Sequence, residues 1–490
     1  MRRALGAAAV AVALAGCGST VQVRSTATVG QDQLSLSGSA GDGFSGTTGG
    51  TAVATSGGSL TPSRGLTTGT TTGTAVGGGS GALPLTSHAI VPSASGGHEP
   101  VRVGVVYASG VGAAAAAMGI PGLATGDNKA QAEAVFAWIN AHGGLGGHPI
   151  KGYYWDVTQN QGSSAEASMQ AACTGLTQDD HVRYVQTIAG VPASGMACFS
   201  RAGVGVLNDE TGLGDADMAK YAPWLGNSGE IAPGRMTSLV VDDLWRRGWL
   251  TPSSKVGIFS ADNKGAHAVV DSALVPALRR HGLTAAKTIY VNPDGGDGGT
   301  SQSSSAALQF RSAGVDRVIP VLYSPLFLMT AASTQQYRPG YAVYSNFGPG
   351  ALLETAAPKD QLANAVGIGW QPYLDIGAGT KPGPVSGRET LCFQIMAKAG
   401  QASSSPTTKG FEVQVCNALF YLMDLSNEVG GVPGDLLTSG RALLGSTFVP
   451  ADTFRVDVTH RTDGVAGYRD LAYKQDCACF QYVSPVVAAP

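Results

Sequence analysis

Charge is scarce in this sequence. Its 490 residues include 31 Lys and Arg against 34 Asp and Glu, a formal net charge of −3. No basic excess is available to neutralise a phosphate backbone, so neither nucleic acid nor an acidic membrane surface is an expected partner. The histidines show no HExxH spacing, the strongest sequence sign of a zinc hydrolase. Ser260, Asp262 and His267 lie close together, but no nucleophile-elbow motif surrounds the serine. Long apolar runs are lacking too: the N-terminal one, residues 4–13, is too short for a bilayer-spanning helix, which needs about 20 apolar residues. No enzyme constellation emerges, and no cofactor is called for.

Glycine, by contrast, is abundant at 70 residues, much of it before the first periodic segment. Met1-Arg2-Arg3 makes a positive start, residues 4–13 a short apolar core, and Leu14-Ala15-Gly16-Cys17 reads as a lipobox. This arrangement resembles the signal peptide of bacterial lipoproteins. The resemblance implies removal of residues 1–16 and acylation of Cys17, palmitate included. The chain would then be held at the outer face of the cell membrane by its lipid anchor. The plainer alternative is a secretory signal with an incidental cysteine. Residues 17–99 are mostly Gly, Ser, Thr and Ala without an apolar period, so they cannot bury enough surface to offset their ordering entropy. They read as a disordered stalk. Roughly 80 residues of such coil reach about 50 Å, enough to carry a domain through a cell-wall layer.

From Val103 the pattern changes. Val103-Gly104-Val105-Val106-Tyr107 is a strand-like run, followed by a Gly/Ala-rich turn. Ala132, Val135, Phe136 and Ile139 then fall on one face of a helix. Gly143-Gly144 closes that helix, and Tyr153-Tyr154-Trp155 leads to Asp156. Strand, helix and strand in this order make a βαβ unit of a parallel sheet. The rhythm continues with a helix over 165–176, a strand over 182–188, a helix over 193–201 and a strand over 203–207. A second block follows: a helix from Pro233 to Arg247 capped by Gly248, a strand over 255–259, and a helix striped by Val270, Leu274 and Leu278. Strands over 288–291, 315–322 and 341–344 and a helix over 306–313 complete it. A helix over 411–425 carries Val413, Cys416, Phe420 and Met423, and Phe454, Val456 and Val458 alternate as a strand.

The segment Ile139-Asn140-Ala141-His142-Gly143-Gly144-Leu145-Gly146-Gly147-His148-Pro149-Ile150 resembles the IN-x-x-GG-(I/L)-x-G-x-x-(I/L) signature of type I periplasmic solute-binding proteins. The branched-chain amino acid and amide-binding branch is the nearest in pattern. Asp156 falls where that family has an acidic residue. The resemblance implies an α/β fold of two doubly wound, Rossmann-like lobes joined by a multi-strand hinge. It puts chain crossings near Asn227, Gln371 and Ala451, with lobe one at 100–226 plus 372–450 and lobe two at 227–371 plus 451–490. It also implies a small-molecule ligand in the cleft, where domain-interface pockets concentrate, and delivery to the membrane subunits of an ABC importer.

Besides Cys17 there are six cysteines, an even number that favours disulfides in an exported chain. In a doubly wound sheet of order 2-1-3, the helices carrying Cys173 and Cys198 lie side by side, and these two are expected to pair. Cys392, Cys416, Cys477 and Cys479 leave three pairings open.

Ligands in such sheets sit beyond the carboxyl ends of the strands. The loops there supply the ligand-binding candidates Ser109, Gly190, Ser194, Asp209, Glu210 and Thr211 from lobe one, and Asn263, Tyr323 and Asn346 from lobe two. Gly110-Val111-Gly112-Ala113-Ala114-Ala115 fits a dinucleotide fingerprint, but its Gly/Ala bias is broad and an exported protein meets little NAD. The Asn208-to-Thr211 group reads equally as a partner for a ligand cation and as a helix cap. Tyr323 matches a family ligand contact, or is a buried core tyrosine; Asn263 and Lys264 occupy the other lobe-two contact loop. The chain departs from amino-acid-binding relatives in two ways. Gly190-Val191-Pro192-Ala193-Ser194 replaces their Ser/Thr-rich carboxylate loop, and Ser345-Asn346-Phe347-Gly348 replaces the carboxylate that holds the ammonium. The expectation is a lipid-anchored solute-binding protein for a small polar, amino-acid- or amide-like molecule. The alternative is a surface sensor or scaffold that kept the fold without transport.

Overall fold

The computed structural model describes residues 98–110, 125–159, 165–188, 190–208, 213–292, 299–355, 357–376, 386–459 and 461–490. The expected signal peptide, Cys17 and stalk lie outside them, as do Asp209, Glu210, Thr211 and most of the fingerprint-like loop.

The first lobe starts with β1 (Val101–Tyr107), α1 (Asn128–Ala141), β2 (Ile150–Asp156), α2 (Ala165–Thr174) and β3 (Tyr184–Thr187). It continues through α3 (Ala193–Arg201), β4 (Gly205–Asn208), α4 (Asp215–Lys220) and β5 (Leu225–Gly226). These five strands form a parallel sheet of order β2-β1-β3-β4-β5, with the switch in direction between β1 and β3.

The signature segment is explained by local physics. Asp127 caps α1 by accepting the Ala130 amide at 3.1 Å. Asn140 clamps the start of β2, its Oδ1 accepting the Ile150 amide at 2.6 Å while its Nδ2 donates to the Ile150 carbonyl at 3.0 Å. Gly144 adopts φ +71, and a Cβ there would lie 2.1 Å from the His148 carbonyl oxygen. At Gly146 a Cβ would meet the Gly431 backbone at 2.6 Å, so this turn packs glycine against glycine at the end of the lobe's longest helix.

The second lobe contains α5 (Pro233–Arg246), β6 (Val256–Ala261), and a helical run made of α6 (Lys264–Val269), a π turn (Val270–Leu274) and α7 (Val275–Arg280). Next come β7 (Ala285–Val291), α8 (Thr300–Ser312), β8 (Arg317–Val321), α9 (Leu326–Thr334) and β9 (Gly340–Tyr344). Then follow α10 (Pro349–Glu354), α11 (Lys359–Leu362) and β10 (Val366–Gly369). Its sheet runs β7-β6-β8-β9-β10 in parallel and is extended by antiparallel β11 (Gly467–Lys474) and β12 (Cys479–Tyr482), with β13 (Val487–Ala488) beside β11. Buried Asp243 and Asp470 receive Arg246 and Arg247, tying α5 to β11.

Between β10 and β11 the chain returns to the first lobe as α12 (Pro372–Asp375), α13 (Gly387–Lys398), α14 (Pro406–Val429) and α15 (Leu436–Leu444). Ser405 caps α14, Pro406 fills its first position, and Gly430 at φ +70 ends it. The expected apolar stripe is real, but Val415, Leu419 and Leu422 are buried as well, so α14 is enclosed on most sides. It covers β1 and packs beside α1 and α15.

The expected strand at Phe454, Val456 and Val458 does not form as such. Val456 and Val458 are buried in alternation, but one isolated bridge, Val456 to Val465, replaces a ladder. Ala451, Val456 and Val458 pack in the first-lobe core and Val465 in the second, while Phe454 lies edge-on to Tyr482 at 5.2 Å. Disulfides join Cys173 to Cys198 between α2 and α3, Cys392 to Cys416 between α13 and α14, and Cys477 to Cys479 across the β11–β12 turn.

Candidate functional site

The carboxyl ends of both sheets face one another. A Cβ on Gly214, the cap of α4, would lie 3.8 Å from the Gly265 Cα in α6. The Gly234 amide at the start of α5 donates to Asp215 in α4 at 3.1 Å. Near the crossings, Asn417 on α14 donates to Ser228 Oγ at 2.9 Å and accepts the Ala451 amide at 2.9 Å, binding two interlobe passages with one side chain.

Beside this junction lies a small recess of about 20 Å³. Glu230, from the first crossing, stands on one wall, and Ser345, Asn346, Gly348 and Ala351 on the next. Gln371 and Leu374 come from the second crossing, and Thr407, Phe411 and Gln414 from one face of α14. Glu230 is 1 % exposed and accepts at both oxygens: Gln371 Nε2 reaches Oε1 at 3.1 Å and Asn346 Nδ2 reaches Oε2 at 2.9 Å. Gln371 also donates to the Gly229 carbonyl at 3.1 Å and receives Gln414 Nε2 at 3.4 Å. Asn346 Oδ1 and Thr407 Oγ1 are buried at the recess with no hydrogen-bond partner.

Behind the recess wall sits Asp375, fully buried. Its Oδ2 accepts Ser345 Oγ at 3.0 Å, the Gln371 amide at 3.0 Å and the Tyr482 hydroxyl at 2.5 Å. Burial pushes its carboxyl up to about 7, and those donors hold the rise back. Burial likewise lifts Glu412 of α14 to about 7, against the Ser403 amide and Lys409.

Among the described residues, Asn346 is the one expected from the sequence that lines this recess. Ser109 is exposed beyond β1, where its amide donates to Asp156 Oδ1 at 3.1 Å and its hydroxyl binds both Asp156 and Thr158. Burial raises Asp156, but the Ser109 and Thr158 donors outweigh it and hold the carboxyl below its ordinary value. Gly190, at φ +71, is buried beyond β3, and Ser194 is exposed in the first turn of α3. Asn263 caps α6 by accepting the Ala266 amide at 2.8 Å. Tyr323 is 5 % exposed and lies edge-on to Phe259 at 5.4 Å, in the second-lobe core. His267 meets Asp262 at 2.8 Å, but Ser260 Oγ donates to the Ala261 carbonyl, so the three form no relay.

Glu230, Gln371, Thr407, Phe411 and Gln414 were not singled out from the sequence. The available signal was position: Glu230 and Gln371 lie at the two crossings the resemblance implied.

No protein-family model and no curated protein matches the sequence. Solved structures do match. A solute-binding protein of an ABC transporter from R. palustris, in complex with 4-hydroxybenzoate, superposes with a TM-score of 0.58 at 12 % identity, over 80 % of this chain and 98 % of that one. A periplasmic substrate-binding protein from Ralstonia solanacearum gives 0.57 at 15 % identity, over 78 % and 99 %. The branched-chain amino acid transporter substrate-binding protein from Streptococcus pneumoniae, in complex with isoleucine, gives 0.54 at 14 %, over 79 % and 99 %. This is the type I periplasmic binding-protein fold. Among the described residues, no helix is long and apolar enough to cross a membrane.

Proposed function

We propose that this chain is a solute-binding protein without catalytic activity, which captures a small polar organic molecule between its lobes and presents it to the membrane subunits of an ABC importer. The observation that carries the reading is the recess where both lobes and their crossings meet, with partnerless buried polar atoms on its walls. A ligand that pairs with groups from both lobes favours the closed arrangement and links capture to hinge motion. The complexes of similar fold hold isoleucine or 4-hydroxybenzoate, solutes of the size class proposed. Removal of residues 1–16, acylation of Cys17 and a stalk over 17–99 would hold the lobes outside the membrane. We divide them as 100–226 plus 372–450 and 227–371 plus 451–490.

A sensor or scaffold role finds support in Phe411 and Leu374, apolar side chains on the recess wall. Native mass spectrometry of the protein purified from its own envelope separates the two. A stoichiometric small-molecule adduct, lost on partial unfolding, supports capture. A clean apo mass with no thermal shift across amino acids, aromatic acids, amides and sugars favours the sensor or scaffold. The same spectra read the lipid directly, as an added acyl mass that Cys17→Ser abolishes.

A further inference from the structure

We propose that the Cys477–Cys479 bridge is a thiol–disulfide exchange site, open to a dithiol reductant while the protein stays folded. The three disulfides differ in setting. Cys173, Cys392 and Cys416 are wholly buried, and Cys198 is half-buried. Among the described cysteines Cys477 is the exposed one, on the turn from β11 to β12 with exposed Gln475 and Asp476 beside it. An attacking thiolate needs such access to one sulfur. Nor is this bridge what holds the hairpin. Leu471 pairs with Tyr482 and Tyr473 with Phe480 in the β11–β12 ladder, and buried Phe480 lies edge-on to Tyr473 at 5.5 Å. Opening a ring whose cysteines are 2 positions apart therefore frees little chain. Ala478 within the ring sits at φ +49, a left-handed conformation that a residue with a Cβ adopts at a cost, and opening the ring lifts that constraint.

The chemistry balances as two exchanges. One thiolate of the dithiol attacks Cys477 Sγ; the S–S bond breaks, its electron pair leaves on Cys479 Sγ, and a mixed disulfide remains at Cys477. The second thiolate then attacks the reductant's own sulfur in that mixed disulfide and releases Cys477. The dithiol is oxidised by two electrons to a disulfide, and its two protons pass through water to Cys477 and Cys479. Gln481 Nε2 donates to Cys477 Sγ at 3.5 Å and to Cys479 Sγ at 3.6 Å, so one amide faces thiolate charge as it develops on either sulfur. The Lys474 carbonyl, 3.7 Å from Cys477 Sγ, is an acceptor for the thiol once formed. Burial opposes the step, since Cys479 is 4 % exposed and a thiolate there is poorly solvated; the Gln481 amide offsets that. Gln170 makes a similar contact to Cys198 at 3.3 Å, but the bridge there joins two helices across a separation of 25 and its other sulfur is wholly buried. After reduction Cys477 and Cys479 stay neighbours through Ala478, so the bridge closes again within one turn.

The test is reduction kinetics of the folded, full-length protein in mild detergent. Dithiothreitol and reduced thioredoxin are the two probes, iodoacetamide traps free thiols, and peptide mass spectrometry reads each cysteine. The expected result is that Cys477 and Cys479 are trapped at least about 10-fold faster than Cys173, Cys198, Cys392 and Cys416, with the thermal melt still cooperative. Oxidised glutathione should then restore the bridge. Trapping with dithiothreitol alone assigns the exchange to small dithiols, and trapping with both probes extends it to a protein dithiol. Cys479→Ser should take up glutathione at Cys477 at least about 10-fold faster than Cys477→Ser does at Cys479, which fixes the attacked sulfur. Gln481→Leu should slow reduction of the folded protein at least about 3-fold. Reduction no faster than at the other two bridges, reduction only with loss of the melt, or a reduced pair that oxidised glutathione does not close overturns the proposal. Equal glutathione uptake by the two serine variants overturns attack at Cys477, and an unchanged rate in Gln481→Leu overturns the role given to that amide.

Discussion

Asn346 gives its amide hydrogen to Glu230 across 2.9 Å, and this bond fastens the turn beyond β9 to the segment that leaves β5. Asn346→Asp would set two carboxylates against each other in a site that water reaches poorly. The expected loss is about 1–3 kcal/mol at pH 7.5. It should shrink at pH 4.5, where one proton can be shared by the pair. Urea denaturation at both pH values measures it; a loss independent of pH would contradict the pairing.

Asp375 should leave a signature in the pH dependence of stability. Its carboxyl is raised from 3.8 to about 7 by burial. The folded protein thus binds the extra proton across that interval, and its stability, complete below the lower value, declines as pH rises towards the upper one. One such group contributes a slope of up to about 1.4 kcal/mol per pH unit. Asp375→Asn should flatten the stability profile between pH 4 and 7 by one proton's worth, leaving the parallel contribution of Glu412. An unchanged profile would mean that Asp375 keeps an ordinary carboxyl.

The three disulfides should differ sharply in worth. Cys173–Cys198 and Cys392–Cys416 close loops with sequence separations of 25 and 24, while Cys477–Cys479 spans 2. Loop-closure entropy assigns about 3 kcal/mol to each of the long ones. Paired Cys-to-Ala changes there should lower stability by about that amount, and Cys477→Ser with Cys479→Ser by only about 1–1.5 kcal/mol. Equal losses in denaturant melts would reject the entropic account.

Gly143 and Gly144 look alike in sequence but not in space. A Cβ on Gly143 meets nothing within 4 Å, whereas on Gly144 it lies 2.1 Å from the His148 carbonyl. Both have positive φ, so each alanine variant carries backbone strain of about 1 kcal/mol. Gly144→Ala adds a clash with backbone and should cost at least about 2 kcal/mol more. Thermal melts of the two variants decide it.

The strand–helix rhythm was legible because it is local: the apolar face of α1 and the cap at Gly144 can be read within one window of residues. Periodicity misled where context dominates. The Phe454 segment alternates as a strand does, yet it touches Val465 through a single bridge because it passes between lobes. The α14 stripe gave the helix but not its enclosure by neighbours on several sides. Glu230 was illegible for a different reason. Its partners stand 116 and 141 positions away, so no local pattern distinguishes it from any glutamate in a turn. Asn263 and Tyr323 lie in loops after strands, where Asn263 caps a helix and Tyr323 meets Phe259 in the core.

The late return of α13 to α15 into the first lobe bears on when that lobe can fold. Val103, Val105 and Leu207 share their core with Val415, Leu419 and Leu422, which emerge from the ribosome after the whole central block. Until then, of the helices in this core, α1 alone covers that face of the first sheet, which has little incentive to consolidate. The order of synthesis thus keeps the growing polypeptide loose for most of its length. On the export proposed above, that looseness suits threading through a narrow translocation channel, with folding completed on the far side.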